Sequence, residues 1–424
     1  MTDTNIFSDF ALRLRSFAEV IVRVGLNLQR GQRLLITEPY ELQGVARSAE
    51  VIVGAVQAMV DGPVEVIWGD GARLRESAEK KDWRGFTRLV KANAEKMESH
   101  VRHGDALLFL QGSQPKLLEG IAPEHIAELR RIGWDHFGPV AQQLMAGETN
   151  WTVAPAPSPG WAEMTCADLP EEKRLATLWE TVFASMRIPS CRANSGRASS
   201  QGNPLEAWQA HLAALTHRCN GLNARRLKTL RYQGAGTDLT VALPAEHRWC
   251  TAQLTTKAGL SFVANLPTEE IFTAPHKDSA EGAVRVARPI SYGGAVIDGI
   301  ELEFKRGRIV QAQARTGAAL LRQMLETDEG AMHLGEVAIV AASPGWASVS
   351  APMPVADGDI GNQPDSPRLF YHPLLDENVS DHIALGEAYG FCLHAPNPAA
   401  LNHSLIHVDL PIDACVALPE TGAS

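Results

Sequence analysis

Apolar and polar positions alternate along the N-terminal half of the chain in two different periods. Residues 8–29 place apolar side chains at helical spacing behind Ser8-Asp9, which predicts an amphipathic helix entered at a cap. Gly31-Gln32 then opens a short apolar strand, Arg-Leu-Leu-Ile-Thr. An Ala/Val-rich stretch over about 42–61 predicts a second helix, Pro-Val-Glu-Val-Ile-Trp at 63–68 a second strand, and Asp-Ala-Leu-Leu-Phe-Leu at 105–110 a third. A helix near 122–132 and a strand at 151–155 follow. Strands alternating with helices imply parallel pairing in a doubly wound sheet. No strand is followed by G-x-G-x-x-G or G-x-x-x-x-G-K-[ST], so the backbone lacks the glycine-rich turn that approaches a phosphate, and nucleotide binding is disfavoured.

The pattern changes after residues 188–204, a Gly/Ser-rich polar stretch that reads as a linker. A helix carrying Trp208, Leu212 and Leu215 follows. Beyond Leu227 come short strands with turn signals, among them Lys-Thr-Leu-Arg-Tyr, Asp-Leu-Thr-Val-Ala-Leu, Leu-Ser-Phe-Val-Ala and Ile-Glu-Leu-Glu-Phe. The expected fold is therefore α/β: an N-terminal doubly wound parallel-sheet domain over 1–190, then a β-rich α+β domain over 191–424. A Pro-, Gly- and Asp-dense stretch at 343–375 has little periodicity, and a long irregular loop of this kind reads as a lid or pocket wall.

At 424 residues the length agrees with two domains. A hydrophobic share of 45% with 21% charged residues is that of an ordinary globular protein. Thirty-nine basic against 49 acidic residues give a net charge of −10, with no basic stripe interleaved with aromatics, which argues against a nucleic-acid partner. The 6 cysteines are scattered without a C-x-x-C pair, which favours a reducing compartment. With no signal-peptide pattern and no apolar run of ~18 residues, the expectation is a cytoplasmic protein with no membrane partner.

The chemistry concentrates in the β-rich part. Ser404-Leu-Ile-His-Val-Asp409 places His407 and Asp409 two residues apart in a strand-like run, so both point to one face. Charge there is costly unless it is paired or bound to a metal. Three more segments are similar: Pro267-Thr-Glu-Glu270, Gly335-Glu-Val337, and Asp376-Glu-Asn378 leading to His382. Each has a bland reading: Glu270 in the first turn of a helix capped by Thr268, Glu336 on an edge strand, His382 as a structural histidine. Taken together, Glu270, Glu336, His382, His407 and Asp409 offer carboxylates and imidazoles without thiolates, a set suited to zinc, manganese, cobalt or iron, and five such ligands suffice for two metals. Tyr389 is a candidate donor to a developing oxyanion. Glu270 and Glu336 are the candidates for a general base. His403 is a weaker competitor of His407.

These segments in this order, with Gly236-Thr-Asp-Leu239, Asn265 through Pro275, Phe304-Lys-Arg-Gly-Arg-Ile309, His382-Ile-Ala-Leu-Gly386 and Ser404 through Asp409, resemble the thermophilic metalloaminopeptidase family (AmpS/PepS type) over nearly the whole chain. The N-terminal match is looser, carried by pieces such as Trp161-Ala162 and Leu178-Trp179. The resemblance implies an α/β N-terminal domain, a catalytic C-terminal domain and a homodimer that releases N-terminal residues from peptides or aminoacyl-amides with two divalent ions (Zn, Co or Mn). It implies that Glu270, Glu336, His382, His407 and Asp409 are metal ligands and that Tyr389 is the active-site tyrosine. After Asp409 this chain departs from the family pattern with Leu-Pro-Ile-Asp413, which bears on substrate preference. A mononuclear non-haem iron dioxygenase acting on an aromatic ring is the alternative, since two histidines and a carboxylate also form its ligand triad.

Overall fold

The protein, seen in a computed structural model, is described over residues 8–38, 44–112, 117–190, 202–292, 295–340, 369–395 and 397–417. The proposed lid lies largely outside these residues. The described residues fall into two units, one drawn from Met1–Leu212, Ala252–Thr268 and Ser343–Leu374, the other from Ala213–Thr251, Glu269–Ala342 and Leu375–Ser424.

The first unit is built on a parallel sheet of β1 (Leu34–Thr37), β2 (Val64–Val66), β3 (Ala106–Gln111) and β4 (Trp151–Pro155), in the order β2-β1-β3-β4. β3 and β4 are buried along their whole length, as strands covered on both faces must be, and that is why they read as continuous apolar runs. The helices are α1 (Phe10–Val20), α2 (Glu50–Gln57), α3 (Gly71–Lys80), α4 (Trp83–Arg102), α5 (Pro123–Met145), α6 (Pro159–Thr165), α7 (Glu171–Ser185) and α8 (Pro204–Arg225), the last continuing into the second unit. The helix expected over 42–61 is shorter than its composition suggests. Val45 is extended and bridges Trp68 in parallel, and a short 3-10 turn at Arg47–Ala49 precedes α2. A hairpin of β7 (Gln253–Thr255) and β8 (Ser261–Val263) also belongs to this unit, although it comes after β5 (Thr229–Gly234) and β6 (Thr237–Ala242) in the chain. Asn265, just past β8, bridges Val153 of β4 and extends the sheet edge.

The second unit is antiparallel. Its larger sheet has the order β14-β13-β10-β6-β5-β18, where β10 is Glu281–Arg285, β13 Glu301–Lys305, β14 Arg308–Gln313 and β18 Ala414–Ala417. β5, β6 and β13 alternate buried and exposed residues, the signature of a sheet with one face on a core. A small hairpin pairs β11 (Ile290–Tyr292) with β12 (Ala295–Ile297), and α9 (Ala318–Leu325) follows β14. The second sheet has the order β17-β16-β15-β9, from β9 (Glu270–Thr273), β15 (Leu334–Val340), β16 (His382–Gly386) and β17 (His407–Pro411). One core, including Tyr232, Trp249, Leu302, Phe304, Val337 and Ile383, is shared by both sheets. A helical turn, α10 (Pro373–Asp376), leads toward β16.

Candidate metal centre

All four strands of the smaller sheet carry one of the singled-out residues. Glu270 opens β9, so it is not in a helix, and the Thr268 cap reading is set aside. Glu336 lies in β15, His382 opens β16, and His407 and Asp409 lie in β17. Pairing aligns Val340 with Glu270, Ala338 with His382, and Ala384 with Asp409. Two glycines allow this register. A Cβ on Gly335 would meet the carbonyl oxygens of Glu387 and Gly386 at 2.3 and 2.4 Å, and Gly386 has φ +101°. The β15–β16 register shifts between Leu334 and Glu336, so the irregularity falls beside the glutamate and aims it.

The side chains converge. His382 Nε2 is 3.2 Å from Glu270 Oε2, 3.5 Å from Glu336 Oε1 and 4.0 Å from Asp409 Oδ1. His407 Nε2 is 3.5 Å from Asp409 Oδ1 and 3.9 Å from Glu336 Oε2. Two triplets have the compactness of a metal site, Glu270–Glu336–His382 and Glu336–His407–Asp409, and they share Glu336. Its two carboxylate oxygens face one histidine each.

Both imidazoles are oriented from behind. The Nδ1 of His407 donates to the Glu387 carbonyl at 2.8 Å, and that of His382 to the Ser380 carbonyl at 3.3 Å. A carbonyl only accepts, so Nδ1 carries the proton and Nε2 is turned to the carboxylates. Metal-ligating histidines have this same arrangement. The donor chemistry and orientation therefore fit divalent cations.

Burial is the largest influence on the charges here. It drives the Glu270 carboxyl upward in pKa, Glu336 and Asp409 add to this, and the His382 hydrogen bond opposes it. It pushes His382 and His407 down, but their carboxylate neighbours overcome it, so His382 ends well above its ordinary value and His407 at about 9. Asp409 is lowered because its hydrogen bond to His407 and the charges of both histidines outweigh burial.

Three residues received no role from the sequence. Glu377, the middle of Asp-Glu-Asn, has a carboxyl raised well above its ordinary range by burial and by the charges of Glu270 and Asp409. Asn378 is buried, accepts from the Glu269 N–H at 2.5 Å and donates to Glu377 Oε1 at 3.3 Å, tying the start of β9 to this acid. Glu387 holds His407 through its carbonyl and accepts from the Ser404 N–H through its side chain at 2.7 Å. The available signal was an acid in a turn flanking a ligand-bearing strand. Tyr389 precedes a 3-10 turn, Gly390–Cys392, and its ring lies 5.0 Å from that of His407. Arg248 fixes this turn by donating to the Phe391 carbonyl at 2.6 Å. His403 is exposed, sits outside β17 and faces Glu387, apart from both triplets. Asp413 is exposed, and Pro411 is buried at the end of β17.

Comparison with known proteins identifies the family. The family model described as thermophilic metalloprotease (M29) matches residues 10–353 and 356–415. Aminopeptidase T of Thermus thermophilus is 36% identical over 408 residues, covering 94% of this chain and 92% of its own length. Aminopeptidase AmpS of Bacillus subtilis is 32% identical over 411 residues, covering 95% and 93%. The solved structure of wild-type AmpT from Thermus thermophilus superimposes with a TM-score of 0.80 at 34% identity, covering 95% of this chain and 93% of that one. The chain thus belongs to the thermophilic metalloprotease (M29) family and is a peptide hydrolase.

Proposed function

We propose that this protein is an aminopeptidase that works with two divalent metal ions. The observation that carries this reading is the pair of ligand triplets joined through Glu336. Glu270, Glu336 and His382 would hold one ion, and Glu336, His407 and Asp409 the other. When bound, such ions lower the pKa of a water and polarise a scissile carbonyl. Tyr389, ordered beside His407, supplies a hydroxyl for the developing oxyanion. Glu377 stands in the field of the cluster but belongs to neither triplet, and with Glu270 and Glu336 it is a candidate to carry a proton between the attacking water and the leaving amine. The acidic surroundings favour a substrate's α-ammonium group. Zinc, cobalt or manganese suits the N/O donor set, and we assign catalysis to the 191–424 region of a cytoplasmic homodimer. Among the described residues no helix is long and apolar enough to cross a membrane.

Dialysis against a chelator should abolish hydrolysis of aminoacyl-nitroanilides, and cobalt, zinc or manganese should restore it. Elemental analysis should give about two equivalents of metal per chain. Full activity in metal-free protein would sink the reading, and a single equivalent of iron would favour the mononuclear oxygenase instead.

A further inference from the structure

Arg288 is half-buried in the second unit, and among the described residues it has neither a hydrogen-bond nor an ion-pair partner. Burial depresses its pKa, while the charges of Asp376 and Asp413 act on it in the opposite direction without closing an ion pair. A half-buried guanidinium with no acceptor fixed inside the protein keeps its planar set of five N–H donors free for one that arrives from solvent.

Its position is set by backbone pairing. Val286 bridges Ile412, and the Ala287 N–H donates to the Pro411 carbonyl at 2.8 Å. Pro411 ends β17, two residues beyond Asp409, and pairs with His382. β17 is an edge strand of its sheet and also the open side of the cluster. The side chains of His407 and Asp409 are 22% and 18% exposed, against 1% for His382, 7% for Glu270 and 5% for Glu336. A molecule approaching the cluster from solvent therefore meets β17 first, and Arg288 borders the end of that strand.

We propose that Arg288 is a carboxylate subsite that receives a substrate carboxylate on the leaving side of the scissile bond. Such a subsite presupposes the aminopeptidase reading. In such a substrate the α-ammonium end is repelled by a guanidinium, so the part that seats against Arg288 is the departing one. Its carboxylate has two sources: the C-terminus of a dipeptide, or an acidic side chain on the residue after the scissile bond. Either accepts the planar guanidinium fork in two parallel hydrogen bonds. The bland role for Arg288, a stem covering apolar surface, is preserved by methionine, which makes Arg288→Met the informative change.

The test compares kcat/KM for wild type, Arg288→Met and Arg288→Lys on Leu-Gly, Leu-Gly-amide, Leu-Glu-amide and Leu-Gln-amide, with Leu-p-nitroanilide as the check on wild-type activity. Wild type should prefer a carboxylate-bearing substrate over its amide partner by about 10- to 100-fold, the range of a charge-assisted hydrogen-bonded contact. Preference for Leu-Gly over Leu-Gly-amide identifies the C-terminal carboxylate, and preference for Leu-Glu-amide over Leu-Gln-amide the side chain. Arg288→Met should bring the ratio close to one, chiefly through KM. Arg288→Lys should keep an intermediate ratio, and it carries the test if the methionine variant fails to fold. An identical acid-to-amide ratio in wild type and variant overturns the proposal. A wild-type enzyme that hydrolyses none of these substrates, Leu-p-nitroanilide included, refutes the aminopeptidase reading and the subsite falls with it.

Discussion

Strand β3 of the first unit and strand β16 of the second are both buried from end to end, yet they bury opposite kinds of side chain. In β3 the interior residues Leu107, Leu108, Phe109 and Leu110 are at most 1% exposed and meet only the requirements of packing. In β16 the first residue is a histidine with carboxylates around it, and β15 and, beyond it, β9 bring in Glu336 and Glu270, also buried. Burying a leucine stabilises by about 1.5–3 kcal/mol, whereas burying an ion without full compensation costs several. The smaller sheet of the second unit thus carries a cost that the parallel sheet does not, and the apolar core shared with the larger antiparallel sheet offsets it. A buried strand with charges is a site, and one without them is scaffold.

Mutations should separate the two sheets most sharply through activity. Glu336→Gln and His407→Ala are expected to lower kcat/KM by at least about 1,000-fold, because changing a partner behind a ligand already costs ~10–100-fold. Both should unfold cooperatively, and wild-type-like rates in either would refute the assignment of the shared glutamate and its histidine.

Leu108→Ala in β3 should do the reverse. It should cost about 2–5 kcal/mol of stability in denaturant unfolding while leaving the turnover of the folded fraction intact. A large activity loss in folded protein would mean that the parallel sheet is more than scaffold.

The first unit should also respond to acid through one buried group. His372 is fully buried, its ring stacks on Trp161 at 4.5 Å, and its Nε2 donates to the Gln111 carbonyl at 3.0 Å. Burial lowers its pKa to about 4, only partly opposed by that hydrogen bond. Between the ordinary value of about 6.5 and this lowered value, the unfolded chain takes up a proton that the folded chain refuses. Stability therefore falls as pH drops through this window, by about 3 kcal/mol in all. His372→Phe should flatten that part of the profile, and an unchanged slope would show that another group controls it.

His403→Ala is the smallest change. An exposed residue facing Glu387 should shift activity by less than about threefold and stability by under about 0.5 kcal/mol. A large loss of activity would mean that the wrong histidine was assigned to the metal.

The hydrophobic pattern alone revealed β3, β4 and the alternation of strands and helices, because burial on both faces writes itself into a continuous run. It also placed His407 and Asp409 on one face, a consequence of the period of two. It misjudged 42–61, where Val45 pairs with Trp68 and does not continue a helix, and for Glu270 it offered the first turn of a helix where the chain forms a strand. Local composition does not distinguish these outcomes, since both are decided by a partner far along the chain.

What the sequence determined by itself, through its motifs and their order, was the family and the chemical type of the candidate ligands. Only the tertiary structure decided that Glu336 belongs to both triplets, that Glu377 enters their field, that the Glu387 carbonyl orients His407, and that Arg288 stands beside the open edge. Residue type and spacing fix which chemistry a segment can offer. Which segments meet depends on strand order and register, and these are set by long-range pairing and by the space left at Gly335 and Gly386.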